Sequence, residues 1–250
     1  MATLEGKRIV IIGGSSGIGF CVARASLLNA AEHVYIASST KTKVDGAVAR
    51  LLADTSLQAQ GRVSGDVVDL GNTAVVTSFL EKIGEIDHLI ITSGTIRGTI
   101  DFRTEDLSKH KGLLHLAGHA PETMLTPQCA LKDDFDVRFW GAATAAQKAK
   151  IRSGGSITFT IGTALLKPQP TWSLLVSTAG AVDAFTRSLA IELAPLRVNV
   201  VCPGAVETEL WHQLPKEIVD KMLADYSAKL PVKHVARPEE VAEAYIFLMK

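Results

Sequence analysis

Short runs of β-branched and apolar residues alternate with longer amphipathic stretches along the 250-residue chain. Such alternation is typical of βαβ units around a parallel sheet, and runs such as IVII and RVNVV suit strands buried on both faces. The pattern predicts strands at residues 8–12, 33–37, 60–65, 88–92, 156–161 and 197–202. Helices are predicted at residues 18–29, 44–53, 73–83, 133–151, 172–193, 216–228 and 238–250.

No repeat, low-complexity tract or linker divides these elements, so we expect a single domain. The predicted fold class is α/β, a Rossmann-type doubly wound parallel sheet in a three-layer αβα arrangement. Two regions do not fit. Residues 108–132 form an irregular insertion with weak periodicity, and the chain stops inside the helix predicted at residues 238–250.

Charge and composition limit the kinds of partner that the chain is expected to bind. The 26 basic and 26 acidic residues cancel, and no long basic run favours nucleic acid or an anionic membrane. Three cysteines without CxxC spacing suggest neither a disulfide framework nor a zinc knuckle. The start lacks the layout of a signal peptide, and no apolar run reaches the roughly 18 residues that a membrane span needs. We expect a cytoplasmic protein that acts on a small molecule.

A glycine-rich segment follows the first predicted strand and opens a helix: Gly13, Gly14, Ser15, Ser16, Gly17, Ile18 and Gly19. Gly13 permits a tight turn, Gly17 lets the backbone approach a phosphate, and Gly19 allows the helix to pack closely on the strand. The helix N-terminus offers N–H groups and a positive dipole end to a pyrophosphate. The segment therefore predicts a dinucleotide site.

The GxxxGxG spacing resembles that of the short-chain dehydrogenase/reductase family, and the resemblance covers nearly the whole chain. Further matching pieces are Asp66-Val67, Thr92-Ser93-Gly94, the strand at residues 156–161 and the segment from Pro203 to Thr208. The resemblance implies a nicotinamide dinucleotide cofactor.

It also implies that Asp66 and Val67 hold adenine, although Asp66 could instead be a strand-end turn residue. Thr92, Ser93 and Gly94 would back the nicotinamide ribose, and Val206 and Thr208 would meet the carboxamide.

The second predicted strand ends in Ile-Ala-Ser38-Ser39-Thr40-Lys41, with no Asp or Glu to accept from the ribose hydroxyls of NAD. Hydroxyl groups with Lys41 and the nearby Lys43 suit a 2′-phosphate, which needs donors and positive charge. We therefore predict NADP(H) as the cofactor, with a solvated loop as the alternative interpretation of these residues.

Family chemistry uses a Tyr proton donor and a Lys four residues later, which lie on one helix face. Alignment with the family pattern puts Leu174 at the Tyr position and Thr178 at the Lys position, where it would meet the cofactor. Thr163 falls at the position of the substrate-binding Ser, and Arg138 at that of a supporting Asn. Leu174 cannot donate a proton, so the usual mechanism cannot operate.

Three interpretations remain open. The chain is a reductase in which Thr163 binds the substrate oxygen and Arg138 or water supplies charge or a proton, as an iminium-type substrate would allow. Alternatively, it catalyses a cyclisation or isomerisation without net redox, or it binds the cofactor without turnover. Stretches such as FDVRFWGA and PTWSLL resemble a fungal branch of divergent family members found among secondary-metabolite enzymes, which favours an enzyme.

Several other residues have two interpretations each. His110, His115 and His119 with Cys129 belong to a solvated loop or, less readily, to a metal site. Arg138 either acts in the cleft or forms a structural ion pair. Trp172 and Trp211 are pocket walls or core aromatics. The small residues of the helices at 133–151 and 172–193 suit close packing, and the resemblance implies a homodimer or homotetramer.

Family members continue for about one more strand, which would pair beside the strand ending at Cys202. Its absence predicts an open sheet edge. The missing strand and the insertion at 108–132 have two joint explanations. In the first, the gene model is imperfect, and the insertion is a retained intron while the last exon is missing. In the second, the insertion is a real substrate lid and the chain is naturally truncated.

Overall fold

The computed structural model describes residues 3–94, 102–104, 134–209, 211 and 215–250. The predicted insertion at 108–132, with His110, His115, His119 and Cys129, lies outside the described residues. Those interpretations stay predictions.

In the described part of the chain, six parallel strands form one sheet in the order β3-β2-β1-β4-β5-β6. Their bounds are β1 Arg8–Ile12, β2 His33–Ser38, β3 Val63–Val67, β4 Glu85–Ile91, β5 Lys150–Thr160 and β6 Arg197–Val201. The strand order reverses between β1 and β4, which makes this point the topological switch of the sheet. The doubly wound fold predicted from the hydrophobic pattern is confirmed.

Helices cover both faces of the sheet. Helices α1 Gly17–Leu28, α2 Lys41–Ala53 and α7 Pro238–Met249 pack on one face with core residues such as Ile9, Ile11 and Ile36. Helices α3 Thr73–Ile83, α4 Ala142–Lys148 and α5 Ser173–Glu192 cover the other face, over Val10, Ile12 and Phe159. A π-helical turn, Asp136–Gly141, leads into α4, and α6 Lys216–Lys229 follows the loop after β6. None of the described helices is long and apolar enough to cross a bilayer.

Several predicted boundaries are wrong: α2 begins at Lys41 rather than residue 44, β4 at Glu85 rather than residue 88, and β5 at Lys150 rather than residue 156. Strand β3 begins at Val63 rather than residue 60, because Gly61 adopts φ +75° and the Arg62 N–H closes a turn on the Ala59 carbonyl. The helix predicted to reach residue 151 ends at Lys148, and β5 begins at Lys150 because this residue and the next pair with β4. Sheet pairing therefore overrides the helical periodicity there.

The helical spacing of Val241, Ala244, Tyr245 and Leu248 predicts that the last helix docks on the sheet. Helix α7 does dock there, but on a face rotated from the predicted one. Its buried residues are Ala242, Tyr245, Ile246 and Met249, whereas Ala244 is exposed. Packing against α1 and the Tyr245 hydroxyl's 2.7 Å hydrogen bond with Thr160 of β5 set this rotation.

Candidate cofactor cleft and active site

A cleft of about 290 Å³ opens above the carboxyl ends of β1, β2 and β4, at the switch point of the sheet. It brings together most of the site residues expected from the sequence. Those that line it are Gly13, Ser15, Ser16, Gly17, Ile18, Gly19, Ser38, Ser39, Thr92, Ser93, Gly94, Arg138 and Thr208.

The turn between β1 and α1 depends on glycine at three positions. Gly13 and Gly17 adopt φ angles of +95° and +52°, in the region that side chains disfavour. A Cβ atom at Gly19 would overlap the Gly13 carbonyl oxygen and the Thr92 hydroxyl. The first turn of α1 therefore sits directly on the ends of β1 and β4, and Ile18 and Gly19 line the cleft. This arrangement fits a pyrophosphate group.

Hydroxyl groups and one lysine form the cleft wall at the end of β2. The Ser15 hydroxyl donates a 2.9 Å hydrogen bond to the Ser38 hydroxyl, and Ser39 lies beside them. Lys43 lines the cleft, whereas the Lys41 ammonium lies 2.8 Å from Asp45 on the exposed side of α2. Of the two lysines predicted to face a 2′-phosphate, Lys43 therefore lines the cleft and Lys41 does not.

The predicted adenine contacts lie outside the cleft lining. The Asp66 carboxylate accepts a 2.9 Å hydrogen bond from Lys82 of α3, and Val67 is exposed at the strand end. The residues that line this part of the cleft come next in the chain: Val68, Asp69 and Leu70.

Arg138 enters the cleft from the π-helical turn. Its Nε atom donates to Asp134 Oδ1 at 2.6 Å, and Asp134 is buried. The guanidinium packs on Gly94, since a Cβ atom there would lie 2.8 Å from its carbon and nitrogen atoms. Arg138 therefore forms the predicted ion pair, and this pair holds the cation against the cleft wall.

The other aligned catalytic positions do not line the cleft. Thr163 begins a 3₁₀ turn, and its N–H donates a 2.9 Å hydrogen bond to the Pro203 carbonyl. Leu174 is half-buried in the first turn of α5. Thr178 is fully buried, and its hydroxyl has no hydrogen-bond partner among the described residues. The described cleft therefore contains no tyrosine–lysine pair.

The loop after β6 closes one side of the cleft. Val206 is buried and pairs with Ala236 ahead of α7, away from the cleft lining, while Thr208 reaches the lining. Trp211 is buried against Val219 and Val235, so it is a core aromatic. Trp172, also away from the lining, is half-buried at the start of α5.

A second cavity, lined by Cys21, Arg50 and Glu209 among others, flanks the start of α1. Burial, together with the nearby Glu239 carboxylate, raises the pKa of the Cys21 thiol to about 12. The thiol stays protonated at neutral pH and is a poor nucleophile.

No site role is predicted from the sequence for Asp134 or Glu209. Asp134 precedes Arg138 by four residues, a spacing that predicts an ion pair on a helix. Nothing in the local sequence links Glu209 to Gly17, since their contact joins residues 192 positions apart.

Fold and cleft together define a dinucleotide-binding protein of the doubly wound class. A family model described as enoyl-(acyl carrier protein) reductase matches residues 92–250, and one described as an SDR-like Rossmann domain matches residues 2–118. The chain belongs to the short-chain dehydrogenase/reductase family, a family of oxidoreductases.

Its relatives include fungal members of the family. The short-chain dehydrogenase/reductase ATR9 of Stachybotrys chlorohalonatus is 36% identical, over 100% of this chain and 93% of that protein. The MalC reductase/Diels-Alderase of Malbranchea aurantiaca has a solved structure with TM-score 0.84 and 27% identity, covering 98% of this chain and 91% of that one. A small-chain dehydrogenase in complex with NADPH is 25% identical, with TM-score 0.70, covering 97% and 90%. The predicted membership in the family's fungal branch is confirmed.

Proposed function

We propose that the chain is an NADP(H)-dependent enzyme that reduces a small organic carbonyl or imine. The observation that carries the cofactor assignment is the wall at the end of β2. Ser38, Ser39 and Lys43 line it, and no carboxylate stands at this strand end to accept from the ribose hydroxyls of NAD. Hydroxyl donors and an ammonium group suit a 2′-phosphate.

The rest of the cleft fits the same dinucleotide. The first turn of α1 would bind the pyrophosphate through the N–H groups of Ile18 and Gly19, aided by the helix dipole. Thr92, Ser93 and Gly94 would support the nicotinamide ribose. The relative solved with NADPH supports this arrangement.

Bound NADPH would supply a hydride. The chain's own residues lack the family's usual proton donor, because Leu174 occupies the tyrosine position. A substrate carbon that accepts hydride without protonation of an oxygen, as in an iminium group, therefore suits this site best. Arg138, held by Asp134 beside Gly94, would stabilise negative charge on the substrate.

A second candidate is a cyclisation or isomerisation without net redox. It is favoured by the same lack of a tyrosine–lysine pair in the cleft and by the relative named as a reductase/Diels-Alderase. Here Arg138 would polarise an acceptor group of the substrate, and the cofactor would not be consumed.

The experiment that separates these candidates follows NADPH absorbance and product mass together, with a panel of carbonyl and imine compounds. Equal amounts of product formed and NADPH lost support the reductase. Product without NADPH loss supports the second candidate. NADPH binding by calorimetry without any turnover on the panel would leave a cofactor-binding protein and contradict both.

Thr163→Val tests the oxygen-binding role predicted for Thr163. If this hydroxyl binds the reacting oxygen, turnover falls on the order of 10²-fold. Unchanged turnover removes Thr163 from the mechanism, as its position outside the cleft lining favours.

A further inference from the structure

The carboxylate of Glu209 reaches the glycine turn from the loop after β6. Its Oε2 atom accepts a 2.7 Å hydrogen bond from the Gly17 N–H, which belongs to the first turn of α1. The first N–H groups of a helix have no partner within the helix, so a carboxylate is a favourable acceptor there.

The other carboxylate oxygen is held from α2. Oε1 of Glu209 lies 3.5 Å from the Arg50 guanidinium. Arg50 also stacks on Phe20 of α1, with its guanidinium carbon 3.8 Å from the ring centroid. Glu209 thus joins three elements: the loop after β6, the start of α1 and the C-terminal half of α2.

The contacts of Glu209 constrain the position of Thr208, the residue that precedes it. The Thr208 side chain faces Gly17 so closely that a Cβ atom on that glycine would be 3.3 Å from it, and Thr208 lines the cofactor cleft. The loop has a further attachment at the bridge between Val206 and Ala236. Between the two attachments, the backbone from Val206 to Glu209 has little freedom to move away from the cleft.

We propose that Glu209 is a positioning residue, a latch that fastens the loop after β6 to the glycine turn and so preorganises the Thr208 wall for the dinucleotide. This inference rests on the proposed cofactor site. Glu209 itself does not line the cleft and acts through Thr208 and Gly17. Arg50 offsets its charge, which would otherwise oppose a pyrophosphate at the same helix end.

The test compares Glu209→Ala, Glu209→Gln and Glu207→Ala in the full chain. Glu207 is the matched control because it lies on the same loop and lines the same flanking cavity. Its carboxylate makes no hydrogen bond or ion pair with any residue in the described part of the chain. Glutamine keeps an oxygen that can accept from the Gly17 N–H, so Glu209→Gln should rescue the latch.

Two readouts are needed. Hydrogen exchange of the cofactor-free protein should speed up at Gly17 and along residues 204–209 in Glu209→Ala, but not in the other two variants. NADPH affinity measured by calorimetry should fall about tenfold in Glu209→Ala alone, within the usual range of coupling between sites. Glu209→Ala with wild-type exchange and affinity would overturn the latch. If even the wild-type protein does not bind NADPH, the cofactor proposal fails, and the exchange difference still reports whether Glu209 holds the loop.

Discussion

Arg138 Nε and Asp134 Oδ1 lie 2.6 Å apart on consecutive turns of one helical segment, and this pair sets the Arg138 guanidinium beside Gly94 in the cleft lining. The carboxylate is buried while the guanidinium is one-third exposed. Asp134, which also lines the cleft, is therefore well placed to orient the Arg138 guanidinium.

Asp134→Asn should reduce turnover while leaving NADPH affinity near the wild-type value. The amide removes the charge that orients the guanidinium, and a hydrogen bond to a charged group contributes about 1.5–3 kcal/mol, which corresponds to at least tenfold in rate if it is used in the transition state. Steady-state kinetics and calorimetry measure the two effects. A parallel loss of NADPH affinity would show that the pair serves cofactor binding instead.

Ser38→Asp should reverse cofactor preference. The wild-type protein is expected to bind NADPH at least tenfold more tightly than NADH, about 1.4 kcal/mol. An aspartate at the end of β2 would repel a 2′-phosphate and accept from ribose hydroxyls. Calorimetric titration of both cofactors checks this, and equal affinities in the wild-type protein would contradict the assignment of Lys43 and the serines to a phosphate.

Gly19→Ala should abolish NADPH binding and lower stability, because its methyl group would overlap the Gly13 carbonyl. Gly46→Ala is the matched control. Gly46 is exposed in the middle of α2, and a methyl group there would meet no atom within 4 Å, so alanine should raise helix stability by about 0.5–1 kcal/mol. Urea unfolding and cofactor titration of both variants give the comparison. Normal NADPH affinity in Gly19→Ala would mean that the turn tolerates a side chain.

Stability should fall as the pH drops from about 6.5 toward 4, in part because of His88. Burial is the main cause that lowers the pKa of this histidine to about 4; the charge of Asp87 opposes the shift, and the cations Lys7 and Arg197 add to it. The folded state thus favours the neutral ring, so its stabilising contribution is complete above the unfolded pKa and is lost on acidification. The full effect is on the order of 3 kcal/mol.

His88→Leu places an apolar side chain at this buried site and removes the titration. Urea unfolding between pH 4 and pH 7 should therefore be less pH-dependent in the variant than in the wild-type protein. Identical pH profiles would assign the acid sensitivity to other groups.

Trp140→Glu should weaken self-association. The family resemblance implies a homo-oligomer in which copies of the chain pack against each other through α4 and α5. Between them lies a groove lined by apolar residues such as Phe185 and Leu189, with Trp140 58% exposed at its rim. Phe247→Glu, which changes an exposed aromatic residue on α7, is the control. Sedimentation should show dissociation only for Trp140→Glu; the same mass for both variants and the wild-type protein would contradict this interface.

The fold and the glycine turn were predictable because their signals are local. Strand runs, the GxxxGxG spacing and the missing carboxylate after β2 all lie within short segments, and a parallel sheet brings strand ends to one edge. The structure agrees at Ser15, Ser38 and Thr92, which meet in the cleft.

Some residues that were predicted to contact the cofactor instead pair with neighbouring side chains, which alignment with the family does not show. Lys41 pairs with Asp45 within α2, and Asp66 receives the ammonium of Lys82 from α3. Thr178 stays inside the core because α5 presents it there. The role of Glu209 could not be predicted from the sequence, because only the folded path of the chain after β6 brings Glu209 to Gly17.

The contact of Gly19 with the Gly13 carbonyl and Thr92 also bears on how this chain can change under selection. Trimming Thr92 would leave the Gly13 carbonyl in the way, so no single substitution makes room for a side chain at Gly19. A different turn sequence would have to pass through an intermediate that cannot close the turn. Ser38 and Lys43 instead line the cleft wall and can be exchanged one at a time. Single substitutions can therefore change which dinucleotide the cleft prefers. They cannot change the glycine turn that binds the dinucleotide.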